Sequence, residues 1–79
     1  VFAGDQLLNQ TLKIAAAIAA NAPVAVRQAR QAIHRGLQMS IADGLAFEIE
    51  AYHRTVPTSD RREGVRAFVE KRKPEFKGE

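Results

Sequence analysis

The chain has 79 residues, a formal net charge of +3, no cysteine and two histidines. A chain of this length forms one small domain and buries only about 60% of its unfolded surface. The absence of cysteine excludes disulfides, and the chain lacks the usual ligand set of a structural zinc site. No apolar run comes near the roughly 20 residues that span a bilayer. The mild basic excess permits phosphate binding without requiring it.

The first predicted helix covers residues 5–20. Asp5 has the acceptor side chain of an N-cap, and Asn21 suits the left-handed position that often follows a helix. A stripe of apolar residues recurs at helical spacing: Leu8, Leu12, Ala15 and Ala19. We therefore expect a helix with one apolar face.

Two further helices follow closely. Pro23 fits the first position of a second helix over residues 23–38, because a missing N–H costs nothing there. Ser40 and Asp43 resemble a capping box in which Asp replaces the usual Glu or Gln. This box predicts a third helix over residues 41–54.

Two glycines lie early in predicted helices, Gly44 in the third and Gly64 in the fourth. Glycine in a helix costs near 1 kcal/mol relative to alanine. We expect each of them to mark a close approach to another backbone.

Pro57 ends the third predicted helix and pushes the preceding residue towards extended geometry. One of three consecutive acceptor side chains then caps a fourth helix: Thr58, Ser59 or Asp60. Asp60 with Glu63 makes the best capping box of the three.

Pro74 ends the fourth helix, directly after three cations that favour the negative end of the helix dipole: Lys71, Arg72 and Lys73. Glu70 can pair with Arg66 one turn earlier. The sequence shows no convincing β alternation. The predicted fold class is all-α, a small bundle of three main helices plus a short C-terminal helix.

No set of side chains forms a recognisable catalytic or metal site. His34 and His53 lie on different predicted helices, and neither adjoins a nucleophile motif. Glu48 and Glu50 are two residues apart and so point to different faces of a helix. We expect no catalytic residue and no metal site in this chain.

Two helix faces are candidate binding surfaces. Arg27, Arg30 and His34 share a face that can follow a phosphate backbone, but no nucleic-acid-binding motif accompanies it, so nucleic-acid binding is the weaker alternative. Phe68 and Lys71 are three residues apart, which suits a ligand that is apolar at one end and phosphorylated at the other. A core phenylalanine beside a helix-end lysine would give the same spacing.

Three stretches of the sequence form a recognisable pattern: NAPVAVRQAR at residues 21–30, GLAFE at residues 44–48, and TSDRREG at residues 58–64 followed by AFVEKRKP at residues 67–74. Together they resemble the C-terminal region of the enoyl-CoA hydratase/isomerase (crotonase) superfamily. The first resembles the segment in which a proline opens a helix, the second the Gly-Leu-x-x-Glu element, and the third matches the closing motif of the family almost letter for letter. The resemblance covers essentially the whole chain.

By this resemblance, residues 1–79 are the helical C-terminal domain of an enoyl-CoA hydratase, a hydro-lyase of fatty-acid or related acyl-CoA metabolism. Such an enzyme adds water across the 2,3 double bond of a CoA thioester, and its catalytic N-terminal part is not in this sequence. We therefore expect the chain alone to be inactive. The resemblance implies no cofactor, because CoA is part of the substrate, and it leaves hydratase and isomerase activities open.

The resemblance also assigns CoA contacts to three residues. Lys71 approaches the CoA phosphates, Phe68 lines the neighbouring part of the pocket, and Tyr52 helps to wall it. In this family the C-terminal helices build a homotrimer or hexamer and close the substrate site. We accordingly expect the isolated chain to self-associate.

Two other functions remain open, a free-standing helical protein-interaction module and a small nucleic-acid binder. The first residue is Val rather than Met, and no signal peptide follows it. We expect an excised or processed segment, from a parent in the bacterial cytoplasm or, in a eukaryote, in the mitochondrial matrix.

Overall fold

The computed structural model describes all 79 residues and contains four α-helices and no strand. In chain order the helices are α1 (Leu7–Ala19), α2 (Pro23–Gly36), α3 (Ile41–Thr55) and α4 (Ser59–Glu70). A tail without helix or strand, residues 71–79, follows α4. The predicted all-α class is confirmed, and α4 is the shortest helix at 12 residues.

The starts of α2 and α3 agree with the prediction. Pro23 lies in the first turn of α2, where its fixed φ suits the helix. At α3 the Ser40 side chain accepts a hydrogen bond from the N–H of Asp43 at 3.1 Å. The proline and the Ser40 cap each act within one helical turn, so local sequence is enough to predict both helix starts.

The ends of α1 differ from the prediction. Gln6, not Asp5, precedes the helix, and it makes no side-chain capping bond. A turn closed by the Gln6 N–H and the Ala3 carbonyl at 2.9 Å places Asp5 before the helix. Asn21 is not left-handed; its side-chain amide instead donates to the carbonyl of Ala17 at 3.1 Å and caps the helix that way.

Packing between helices is concentrated on α2 and α3, which form an antiparallel hairpin. Gly44 lies against the backbone of Gly36, close enough that a Cβ on Gly44 would sit 3.7 Å from the Gly36 Cα and carbonyl oxygen. Across the other end of the hairpin, Arg54 donates to the Gln28 side chain at 3.2 Å. The predicted backbone contact of Gly44 is therefore confirmed.

The chain is open and thin rather than compact. Its radius of gyration is 15.5 Å and its dimensions are 41 × 40 × 18 Å, whereas a compact domain of this length has a radius near 12 Å. Only three residues are buried: Ala51, Asp60 and Ala67. The apolar faces of the helices are left largely exposed. None of the four helices has both the length and the apolar character needed to cross a bilayer.

Candidate functional site

The start of α4 is capped by Thr58, the first of the three candidate residues. Its side-chain oxygen accepts from the N–H of Arg61 at 3.2 Å and donates to the carbonyl of Thr55 at 2.6 Å. The predicted capping box of Asp60 and Glu63 is wrong, because Thr58 already occupies the cap position and both carboxylates bind elsewhere.

Asp60 binds the tail of the chain. Its two carboxylate oxygens accept hydrogen bonds from the backbone N–H groups of Lys77 and Gly78, each at 2.7 Å. The N–H of Asp60 in turn donates to the carbonyl of Glu79 at 2.8 Å. The residue is only 2% exposed, so these bonds supply the partners that a buried carboxylate requires.

Glu63 binds the tail at a second point. The guanidinium of Arg72 donates to both of its carboxylate oxygens, at 2.6 and 3.0 Å. The N–H of Glu75 donates to the same carboxylate at 2.8 Å. The Arg72 bond and then the Glu75 N–H lower the pKa of Glu63 from 4.5 to about 2. In the same pair, the bonds to Glu63 and Glu70 raise the pKa of Arg72.

The helical spacing predicted that Glu70 pairs with Arg66. In the structure Glu70 instead pairs with Arg72, at 2.6 Å. The chain turns sharply after Glu70, and this turn brings Arg72 back over α4. The observed pair therefore joins two residues across the end of α4, whereas the predicted pair lay one turn apart within the helix.

Lys71 produces that turn. It adopts a left-handed conformation, with φ of 55° and ψ of 45°, and it is the only residue other than glycine with a positive φ. The N–H of Arg72 donates to the Ala67 carbonyl at 3.0 Å, and the N–H of Lys71 to the Phe68 carbonyl at 3.3 Å. These two bonds form a Schellman motif, in which glycine is the usual residue at the left-handed position.

The left-handed conformation of Lys71 separates it from the helix face that carries Phe68. Phe68 belongs to α4, but Lys71 lies beyond the end of that helix, so their three-residue spacing does not place them on one helix face. Phe68 is 86% exposed, and Lys71 is also exposed. The interpretation of Phe68 as a core residue does not hold within this chain.

Tyr52 lies on α3, away from the other two predicted site residues in sequence. It borders an open groove of about 360 Å³ between α2 and α3, whose lining includes Ala25, Ala29, Ala32 and Ala51. Its aromatic neighbour is His53, with ring centroids 6.2 Å apart. No hydrogen bond or ring contact joins Tyr52 to Phe68 or Lys71.

The residues that sequence reasoning missed are the partners of the tail. Phe76 is half-buried and lies with its ring 3.7 Å from where a Cβ on Gly64 would be. Gly64 therefore faces a side chain and not a backbone, contrary to the prediction. The available sequence signal for a chain reversal was Pro74, which directly follows three cations and cannot continue the helix.

The structure contains no group of three or more His, Asp or Glu side chains placed to hold a metal ion.

Both ion pairs in the chain involve Arg72. The ammonium group of Lys71 therefore has no carboxylate partner. The end of α4 thus combines an exposed aromatic ring, an unpaired cation and a tail held by two carboxylates.

A family model described as enoyl-CoA hydratase/isomerase matches residues 1–79. The Bacillus subtilis (strain 168) protein YngF, whose own assignment as an enoyl-CoA hydratase/isomerase is provisional, is 53% identical over 78 residues, covering 99% of this chain and 30% of that protein. A short-chain-enoyl-CoA hydratase of Clostridium acetobutylicum is 47% identical over 71 residues, covering 90% and 27%.

The fold is also similar to a segment of a solved structure. The crystal structure of an enoyl-CoA hydratase from Bacillus anthracis matches with a TM-score of 0.93 and 44% identity, covering all of this chain and 31% of that one. This chain therefore spans less than a third of the length of the relatives it matches.

Proposed function

This chain belongs to the enoyl-CoA hydratase/isomerase family, and from that premise we propose that it is the C-terminal helical domain of an enzyme that hydrates 2-enoyl-CoA thioesters. In this proposal residues 1–79 mediate subunit assembly and close the CoA site. The reacting groups lie in the remainder of the enzyme, and no residue of this chain is catalytic. CoA is part of the substrate, and no separate cofactor is proposed.

The observation that carries the proposed CoA site is that an exposed ring and a cation without a carboxylate partner both lie at the end of α4. Phe68 offers apolar surface that nothing in the chain covers. Lys71 offers an ammonium without a carboxylate partner, suited to the phosphates of CoA as a point charge. Tyr52 is proposed as a further wall of the pocket, supported by its exposed ring beside the α2–α3 groove.

The proposed assembly role is supported by the amount of uncovered surface. The chain exposes 6553 Å², whereas a compact monomer of 8.7 kDa exposes about 4,700 Å². The excess is larger than the roughly 800 Å² that each partner contributes to a standard interface. We propose that the remainder of the enzyme and neighbouring subunits cover it, in a homotrimer or hexamer located in the cytoplasm.

A chimera tests the proposed function directly. This chain replaces the matched segment of the Clostridium acetobutylicum hydratase, and the hydration of crotonyl-CoA is followed by loss of absorbance. We expect the chimera to be active and the isolated chain to show no turnover. An inactive but folded chimera, or saturable turnover by the isolated chain, would contradict the proposal.

Lys71→Ala in the chimera tests the CoA contact. Phosphate contacts far from the reacting carbons stabilise substrate and transition state alike, so KM should rise while kcat stays unchanged. An exposed charge contact implies about a five-fold rise, which should shrink with added salt. Lys13→Ala, a lysine on α1, is the matched control. An unchanged KM at low salt would leave Lys71 as a helix-end charge only.

A free-standing interaction module is the second candidate, because exposed apolar helix faces would equally suit a partner protein. The intact mass of the natural product distinguishes the two functions. A product of 79 residues supports the module. A product about three times longer, the length of the matched relatives, supports the enzyme.

A further inference from the structure

The turn that carries Lys71 is strained and needs support from its surroundings. A residue with a Cβ disfavours the left-handed conformation, because the Cβ approaches the following carbonyl oxygen. Such a conformation persists only where neighbouring contacts over-determine it. The Schellman bonds supply part of that support, but they involve only the backbone.

Side-chain support comes from Glu63, which lies on α4 two turns before the helix ends. Its carboxylate binds Arg72, the residue after Lys71, with both oxygens. It also accepts from the N–H of Glu75, on the far side of Pro74. One carboxylate thus fixes the chain directly after the turn at two points. A bidentate pair of this kind sets orientation as well as distance.

Glu63 is well placed to keep this geometry. Its side chain is only 18% exposed, against 52% for Glu70, the second partner of Arg72. A solvent-exposed ion pair restrains its two side chains only weakly, because water competes for both partners. Of the two acids that hold Arg72, Glu63 is therefore the one that constrains the turn.

We propose that Glu63 is a positioning residue for Lys71: by holding Arg72 and Glu75 against α4, it keeps Lys71 in its left-handed turn and so directs the ammonium towards the phosphates of a CoA thioester. This inference rests on the proposed function, because it assumes that Lys71 contacts CoA. Glu63 itself touches no substrate. Without its carboxylate, Lys71 is free to continue α4 as a right-handed residue, which moves its side chain to a different part of the surface.

Steady-state kinetics of the chimera with crotonyl-CoA test the positioning role. Glu63→Gln removes the charge and keeps the size, so KM should rise about five-fold, as for loss of the Lys71 contact itself, with kcat unchanged. In a Lys71→Ala background the same change should add nothing, because both variants remove one interaction. Glu70→Gln, which also removes a carboxylate from Arg72, is the matched control and should leave KM unchanged.

The outcomes separate this inference from the function on which it rests. If Lys71→Ala raises KM and Glu63→Gln does not, the positioning role is wrong and the CoA contact stands. If Lys71→Ala leaves KM unchanged, the CoA contact and the positioning role are both wrong, while the proposed hydratase function still stands on the activity of the chimera. If Glu63→Gln raises KM by the same factor in the chimera and in its Lys71→Ala variant, Glu63 has a general structural role and the inference is wrong.

A second variant covers the case in which Glu63→Gln fails to fold. Arg72→Lys keeps the charge but cannot donate to both carboxylate oxygens from a planar fork. It should raise KM in the same way and lose this effect in the Lys71→Ala background. A KM equal to that of the parent chimera would overturn the positioning role.

Discussion

The carboxylate of Asp60, in the first turn of α4, accepts a hydrogen bond from the backbone N–H of Gly78 at 2.7 Å, across 18 residues of chain. Gly78 has a φ of 81°, which glycine adopts readily, and a Cβ added to it would sit 3.7 Å from the ring of Pro23 at the start of α2. One acidic side chain thus connects the fourth helix, the tail and, through the tail, the second helix.

We expect Asp60→Ala to release the end of the tail. Hydrogen bonds to a charged acceptor contribute roughly 1.5–3 kcal/mol each, and the substitution removes two of them. Amide hydrogen exchange should show protection at Lys77 and Gly78 falling at least ten-fold. Asp43→Ala, whose carboxylate accepts no hydrogen bond in the structure, is the control. Equal protection in both variants would show that Asp60 does not hold the tail.

Lys71→Gly should stabilise the chimera although it removes a side chain. The left-handed conformation costs a residue with a Cβ about 1–2 kcal/mol, and the greater freedom of glycine in the unfolded chain offsets part of the gain. We expect a net gain of about 0.5–1 kcal/mol in guanidinium unfolding. Lys71→Ala keeps the Cβ and should show no such gain. If the two variants are equally stable, the strain at Lys71 is negligible.

Acid should weaken the link between Glu63 and Arg72. The pKa of Glu63 in the folded chain, about 2, lies below its ordinary value of 4.5. The pair therefore stabilises the fold fully above about pH 4.5, and this contribution is lost as the pH falls towards 2. Urea midpoints of the chimera measured from pH 7 to pH 2 should fall less steeply in this window for Glu63→Gln. Identical acid limbs would argue against the lowered pKa.

Gly44→Ala should be tolerated at the crossing of α2 and α3. The added Cβ would meet the Gly36 backbone at 3.7 Å, an ordinary van der Waals distance. Alanine also improves helix propensity by up to about 1 kcal/mol. Gly44→Leu should instead force the helices apart and destabilise the chimera by about 1–3 kcal/mol. Thermal melts of both variants check this pair of expectations; destabilisation by alanine would mean tighter packing than the structure has.

The isolated chain should self-associate through its exposed apolar faces. Leu8 and Leu12 on α1 are both exposed, and covering such a side chain contributes roughly 1.5–3 kcal/mol. Analytical ultracentrifugation at tens of micromolar, an order-of-magnitude working concentration, should show oligomers. The double change Leu8→Gln and Leu12→Gln should weaken them, whereas Lys13→Gln on the same helix should not. A parent chain that stays monomeric contradicts the prediction.

The sequence alone was sufficient for the four helices, for the proline at the start of α2 and for the Ser40 cap of α3. Apolar spacing along each helix is a local periodicity, and Ser40 meets its partner Asp43 three residues away. The family motif over residues 58–74 likewise pointed to the enzyme family that the comparisons show. The roles assigned to Phe68, Lys71 and Tyr52 stay predictions.

The tertiary structure alone decided what the acids of α4 do. Local rules assign Asp60 and Glu63 to a capping box, because both are acceptors at a helix start. Their actual partners lie 9 to 18 residues later and meet them only because Lys71 reverses the chain. That reversal depends on a left-handed lysine, which propensity disfavours and which only the contacts of the folded tail can sustain.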